Sequence, residues 1–198
     1  MTDQPIALVD HDPAWRRLFL LQQAVLAGLL APWLAAPPEH VGSTAIPGMR
    51  AKPIVDILAP VRLLAAAQEA VAVLERDGWL FWPDDPNRAY RLWFLRPSPA
   101  ARTHHLQIMQ HDHPELRRLL LFRDALRGDA ALRRAYAELK DRLAVLHHAD
   151  RNAYTDAKSD FVRSVVEAAG AAPTGRRDDG AAPAASTTDR TKSLFASV

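Results

Sequence analysis

The sequence of 198 residues contains no cysteine, which excludes disulfide bonds, zinc–thiolate sites and thiol nucleophiles. It also lacks a long hydrophobic run, because apolar stretches such as 18–21 and 119–122 are far shorter than the roughly 18 residues that cross a bilayer. The acidic, proline-containing start does not resemble a secretory signal. We therefore expect a cytoplasmic protein that does not bind membranes.

An excess of one charge sign is missing too, because 25 Lys and Arg residues nearly balance 23 Asp and Glu residues. Nucleic-acid-binding proteins usually carry a strong basic excess, so the net charge of +2 argues against a dedicated nucleic-acid binder. The chain is also poor in lysine and has only Lys52, Lys140, Lys158 and Lys192. In a chain that otherwise uses Arg, a Lys can indicate a place where a compact point charge matters.

The hydrophobic pattern predicts an α+β fold. Apolar residues recur at helical spacing after Asp12-Pro13, which predicts a first helix over 13–30. A short strand is predicted around His40, and the apolar, β-branched run 53–58 predicts a strand covered on both faces. Further signals predict a helix over 61–76, a hairpin of 79–82 with 89–96, a strand over 104–110, and helices over 114–127, 130–148 and 152–169. This order predicts a mixed sheet with a helical C-terminal layer.

The composition changes near the C-terminus. From residue 171 onward the chain consists mainly of Ala, Pro, Gly, Ser, Thr, Asp and Arg without a hydrophobic period, which is typical of disorder. We therefore predict one domain over 1–170 and a disordered tail over 171–198.

The main candidate site lies in the segment from His40 to Asp56. Gly42 and Ser43 leave a strand and expose backbone N–H groups and a hydroxyl that can hold phosphate oxygens, while Asp56 on the next strand can hold Mg²⁺. Alternatively, the glycine only permits a tight turn. A carboxylate in so apolar a strand is costly unless it is compensated, and a structural ion pair with Lys52 or an Arg would compensate Asp56 as well as a metal would.

The segment His40-Val-Gly-Ser-Thr-Ala-Ile-Pro-Gly48, with Ala51-Lys-Pro-Ile-Val-Asp-Ile57, resembles the signature of the GrpB family, whose fold belongs to the nucleotidyltransferase superfamily. The likeness continues in order over residues 6–168. It includes Asp12-Pro-Ala-Trp15, Thr103-His-His-Leu106, Phe122-Arg-Asp124, Leu139-Lys140, and Tyr154 with Lys158. The resemblance implies a nucleotidyltransferase-like mixed β-sheet.

The resemblance also implies a type of chemistry. Nucleotidyltransferases follow the Gly-Ser turn with a strand that carries two carboxylates, which hold two Mg²⁺ ions against a triphosphate. Here Ile54 and Leu58 stand two positions from Asp56, so the second acid is missing. On the neighbouring strand, where the family typically has His-x-His, this chain has His105 and Gln107. These departures argue against the usual two-metal mechanism and leave a one-metal site, a binding-only site or a different reaction.

Several other polar residues are candidates for the same site. His105 could be a ligand or a base, although a hydrogen-bonded structural histidine is the alternative. Arg123 could bind a phosphate bidentately, or it could be held in a structural pair with an acid such as Asp124. The resemblance implies that Lys52, Lys140 and Lys158 neutralise phosphate charge. Without it, charges on helices such as Lys140 and Lys158 would be interpreted as solvated.

Two functions fit these observations. The first is a nucleotidyltransferase-like protein that binds a nucleotide or another phosphorylated small molecule with Mg²⁺ and can transfer a nucleotidyl or phosphoryl group. The second is a non-catalytic accessory module, since GrpB-like domains also occur fused to dephospho-CoA kinase, where they resemble a folding aid. The chain has no Gly-x-x-x-x-Gly-Lys-Ser/Thr loop, so it is not that kinase itself. Association with dephospho-CoA kinase is the partner that this alternative implies.

Overall fold

The computed structural model describes residues 7–171. The predicted tail, apart from Ala171, lies outside the described residues. The helices and strands are α1 (Ala14–Leu29), β1 (Glu39–Val41), β2 (Val55–Val61), α2 (Ala70–Arg76), β3 (Leu80–Phe81), β4 (Arg91–Arg96), β5 (His104–Gln110), α3 (Pro114–Gly128), α4 (Ala130–Leu146), α5 (Arg151–Asp156) and α6 (Ser159–Ala171). Short 3-10 turns occupy Ser43–Ala45 and Ala66–Glu69.

The strands form one mixed sheet in the order β1-β2-β5-β4-β3. β2 and β5 run parallel, whereas the other neighbouring strands are antiparallel. The predicted α+β class, with a mixed sheet and C-terminal helices, is confirmed. Because β2 lies inside the sheet, six of its seven residues can be apolar and buried, and Asp56 stands out among them as a partly buried acid.

The two faces of the sheet have different coverings. One face packs against α1 and α2 and forms the main core, which includes Phe19, Leu26, Ile57, Leu74, Phe94 and Leu106. The other face packs against α3 through Val41, Leu58, Met109, Leu116 and Leu119. A further apolar cluster joins α3, α4 and α6 to the loop between β1 and β2. This loop therefore lies between the sheet and the C-terminal helices.

Three predicted boundaries were wrong. The helix predicted from Val61 begins only at Ala70, because β2 continues through Val61, which pairs with Gln110 of β5. The helix predicted over 152–169 is divided into α5 and α6, and Lys158 lies at the break. The last helix was predicted to end at residue 169, but α6 continues through Gly170 to Ala171. In the first case, strand pairing outweighs the local pattern that favoured a helix.

No helix within residues 7–171 is both long enough and apolar enough to span a membrane.

Candidate functional site

Asp56 and His105 stand opposite each other in the parallel register of β2 and β5. The His105 Nδ1 lies 2.9 Å from Asp56 Oδ1. The His105 side chain is 2% exposed and the Asp56 side chain 13% exposed, so the pair is buried but reaches the surface through the carboxylate. The carboxylate accepts the proton on His105 Nδ1.

Gly42 packs directly on the Asp56 carboxylate. Its φ is 70° and its ψ is −175°, a backbone conformation that is strongly disfavoured for residues other than glycine. A Cβ at this position would lie 2.4 Å from Asp56 Oδ2. The structure therefore brings Gly42, Asp56 and His105 together, and the glycine is needed for close approach as well as for the turn.

The loop that begins at Gly42 is held in place by a chain of hydrogen bonds. The Thr44 hydroxyl donates to the Ile54 carbonyl at 2.9 Å, so it accepts from His40 Nε2 at 3.1 Å. The His40 ring stacks on Phe19 with 4.8 Å between ring centroids. Burial lowers the pKa of His40 to about 3, and the imidazole is therefore neutral at pH 7. These contacts fix both ends of the loop beside Asp56.

Lys140 lies in the apolar cluster between the loop and the C-terminal helices. It is 2% exposed, donates to the Arg50 carbonyl, and its Nζ lies 5.3 Å from the centroid of the Tyr136 ring. Burial lowers the pKa of Lys140 to about 7. Burial also raises the pKa of Tyr136.

Lys158 and Lys52 share one aromatic ring. The Nζ of Lys158 lies 4.2 Å from the centroid of Tyr154, and the Nζ of Lys52 lies 5.2 Å from the same centroid. Lys158 and Tyr154 are each 3% exposed. The ring quadrupole stabilises nearby cations, so this arrangement concentrates positive charge at the base of the loop that carries Ser43.

Arg123 has a different environment. Its guanidinium donates to both carboxylate oxygens of Asp124 at 2.7 and 3.0 Å. It also donates to Glu39 at 2.7 Å and to the His40 carbonyl at 3.0 Å. The structural pair with an acid such as Asp124, which the sequence offered as the alternative to phosphate binding, is therefore present. These acceptors engage the guanidinium, so Arg123 is not among the cations of the proposed phosphate site.

Sequence reasoning missed a buried ion pair farther along the same face. Arg91 donates to Asp85 at 2.6 and 2.8 Å, and their side chains are 3% and 1% exposed. Arg91 also donates from Nη1 to Gln107 Oε1 at 2.9 Å. Gln107 follows His105 by two residues on β5, so both side chains lie on one face. The sequence showed only two charged residues in a predicted hairpin, and this pattern does not predict that Arg91 and Asp85 pair with each other.

A metal at Asp56 would have few protein ligands. Residues 7–171 contain no group of three or more His, Cys, Asp or Glu side chains arranged to hold a metal ion. Asp56 Oδ1 accepts from His105, so Oδ2 is the oxygen that could ligate a cation. Mg²⁺ is often bound through one or two carboxylates, with waters and substrate phosphates completing its shell. The residues present therefore fit a Mg²⁺ that arrives with a phosphorylated ligand better than a resident two-metal centre.

These features define an α+β protein whose mixed sheet carries an Asp–His pair beside a Gly-Ser turn. Residues 5–168 match the family model described as GrpB protein. The chain belongs to the GrpB family, which confirms the resemblance seen in the sequence.

Individual relatives agree with this assignment. The chain is 40% identical over 168 residues to a UPF0157 protein of Pseudomonas aeruginosa, covering 83% of this chain and 67% of that protein. It is 30% identical over 162 residues to the UPF0157 protein YqkA of Bacillus subtilis, of which it spans only 46%. Its fold is similar to the crystal structure of the conserved protein GrpB from Enterococcus faecalis, with a TM-score of 0.74, 30% identity, and coverage of 82% of this chain and 96% of that chain.

Proposed function

We propose that this protein binds a phosphorylated small molecule, such as a nucleotide, beside Asp56 and His105, where the Asp56 carboxylate would hold a Mg²⁺ ion that accompanies the ligand. The observation that carries the proposal is the buried Asp56–His105 contact of 2.9 Å, with the backbone of Gly42 packed on the carboxylate. A histidine oriented by a carboxylate is a common arrangement for a general base. The neighbouring turn supplies backbone groups suited to phosphate oxygens.

The phosphate charge would be balanced by the lysines. Lys52 and Lys158 lie around Tyr154, and Lys140 lies at Tyr136. Lysine acts as a compact point charge in phosphate sites. Burial disfavours a charged ammonium group, so a bound anion would stabilise the protonated form of Lys140.

The proposed arrangement also suits group transfer. The attacking hydroxyl oxygen would form the new bond to phosphorus while the bond to the leaving diphosphate or pyrophosphate breaks, and the imidazole of His105, oriented by Asp56, would take the hydroxyl proton. The lysines would stabilise charge on the transferred phosphoryl or nucleotidyl group and on the leaving phosphate. Mg²⁺, when bound with the ligand, would supply further neutralisation of the phosphate oxygens.

Calorimetric titration tests binding. ATP, tripolyphosphate and inorganic phosphate would be titrated with Mg²⁺ and again with EDTA. We expect Mg²⁺-dependent saturation by at least one probe, and a loss of roughly tenfold or more in affinity in Asp56→Asn and in Lys158→Gln, as truncation of a charge pair would give. Arg163→Gln is the matched control, because Arg163 is an exposed cation of α6 whose ion pair is with Asp160. Absence of saturable binding would contradict the proposal.

An accessory role is the second candidate, and one observation favours it: the residues two positions from Asp56 are Ile54 and Leu58 rather than acids. In that role the chain would associate with dephospho-CoA kinase and would need no ligand of its own. A complex detected by size-exclusion chromatography with purified kinase, together with no binding of any phosphate probe, would support this second function over the first.

A further inference from the structure

Trp93 and Gln107 each carry a buried hydrogen-bond donor, Nε1 and Nε2, that meets no acceptor among residues 7–171. The two residues are 6% and 1% exposed. They stand opposite each other in the antiparallel register of β4 and β5, so their side chains share a face. The Trp93 ring also contacts the His105 ring, with 5.2 Å between centroids. Both donors therefore belong to the surroundings of the Asp56–His105 pair.

The orientation of the Gln107 amide is fixed. Arg91 Nη1 can only donate, so the group that faces it at 2.9 Å must be Oε1. Arg91 is itself held by the two hydrogen bonds that it donates to Asp85. Consequently Nε2 is the part of the amide that turns away from Arg91. The indole Nε1 of Trp93 is also a donor only, and the two side chains together offer donors without an acceptor.

We propose that Trp93 and Gln107 form a subsite for the planar part of the ligand and recognise an edge with two neighbouring hydrogen-bond acceptors. This inference rests on the proposed function. Between the two purine bases, guanine presents N7 and O6, both acceptors, whereas adenine presents N7 beside the N6 amino donor. A donor that faced the adenine amino group would stay unpaired, which is the basis of strong discrimination. The subsite therefore favours a guanine nucleotide over an adenine nucleotide.

Two substitutions change the donors with little change in shape. Gln107→Glu keeps an oxygen towards Arg91 and replaces the Nε2 donor by an acceptor. Trp93→Phe keeps an aromatic ring beside His105 and removes the N–H. Trp82→Phe is the matched control. The Trp82 ring contacts the Trp93 ring, at 6.3 Å between centroids, but Trp82 Nε1 is not among the buried donors without an acceptor.

The experiment is calorimetric titration of GTP, ATP and tripolyphosphate with Mg²⁺ into the full chain and the three variants. We expect the wild type and Trp82→Phe to bind GTP about tenfold or more tightly than ATP, as an unpaired donor predicts. Gln107→Glu and Trp93→Phe should each reduce this ratio. The affinity of Trp93→Phe for tripolyphosphate should stay at the wild-type value, whereas the added negative charge of Gln107→Glu should weaken tripolyphosphate and both nucleotides alike. Trp93→Phe decides the outcome independently if Gln107→Glu fails to fold.

Equal binding of GTP and ATP by the wild type would overturn the subsite and leave the proposed function intact. A GTP preference that persists in both Gln107→Glu and Trp93→Phe would overturn it as well. If tripolyphosphate binds but neither GTP nor ATP does, the subsite is also overturned. If none of the three probes binds, the subsite and the proposed function fail together.

Discussion

Gly42 packs so closely on Asp56 that a Cβ at residue 42 would lie 2.4 Å from the Asp56 Oδ2 atom. The backbone of the turn therefore approaches the carboxylate more closely than any side chain would permit. The positive φ of 70° is a second, independent reason why this position requires glycine. The turn and the acid consequently act as one unit, although thirteen residues separate them in the sequence.

Substitutions of glycine by alanine can separate the effect of backbone strain from the effect of overlap with Asp56. We expect Gly42→Ala to lower the free energy of unfolding by about 2 kcal/mol or more, since the backbone strain of roughly 1–2 kcal/mol is joined by the overlap with Asp56. The variant should also lose phosphate binding. Chemical denaturation and calorimetric titration would measure the two effects.

Two other glycines are controls for this experiment. Gly48 has a φ of 75° and no atom within 4 Å of the place that a Cβ would occupy, so Gly48→Ala should show the backbone strain alone, about 1–2 kcal/mol. Gly28 lies in α1 in open space, so Gly28→Ala should stabilise by about 0.5–1 kcal/mol. If Gly42→Ala costs no more than Gly48→Ala, close packing on Asp56 is not the reason for Gly42.

Asp56→Asn separates the ligand role of Asp56 from a structural one. The amide oxygen can still accept the proton on His105 Nδ1, so the contact is weakened rather than lost. We therefore expect a change of at most about 1.5 kcal/mol in the free energy of unfolding, typical of weakening one hydrogen bond. Denaturation in EDTA measures this change. A loss of about 3 kcal/mol or more would indicate that Asp56 compensates a buried cation.

Asp85→Asn should behave in the opposite way. It leaves the guanidinium of Arg91, whose side chain is 3% exposed, without its carboxylate, and breaking a buried pair from one side costs about 3–5 kcal/mol. Asp160→Asn is the control, because its ion pair with Arg163 is exposed and should contribute at most about 1 kcal/mol. The same denaturation series compares Asp85→Asn directly with Asp56→Asn, and similar losses for the two would refute the distinction.

Lys140 should give the stability a measurable dependence on pH. Burial lowers the pKa of Lys140 from 10.5 to about 7, so between these values the unfolded chain holds a proton that the folded chain releases. Stability should therefore rise with pH above 7, by about 1.4 kcal/mol per pH unit from this group. Lys140→Met removes the titration, and the difference between wild type and variant from pH 6 to pH 9 isolates it. A pH-independent difference would contradict the expected shift.

The sequence predicted those features that are set locally. The apolar run over 53–58 indicated a covered strand, and the strand predicted over 104–110 carries His105. Gly42, Asp56 and His105 could be placed together because the strands that carry them were recognisable and the family resemblance indicated that they are neighbours.

The remaining parts depend on distant contacts. The pairing of Arg91 with Asp85 requires the hairpin to fold back on β5, and nothing in the local pattern distinguishes these charges from solvated ones. Lys140 and Lys158 would be interpreted as exposed helix residues without the resemblance, yet they are 2% and 3% exposed, because α4 and α6 close over the loop. Burial of a charged residue is decided by tertiary packing, which periodicity does not report.

The parallel pairing of β2 with β5 has a consequence for the order of folding. Asp56 and His105 are 49 residues apart, and the connection between their strands contains α2, β3 and β4. Closing so long a loop has an entropic cost that a hairpin avoids, so non-local parallel pairs form slowly. We expect pulse-labelled hydrogen exchange to protect amides of β3 and β4 before those of β2. The polar site would then be among the last parts of the molecule to assemble, and a nascent chain would acquire it only after β5 has been synthesised.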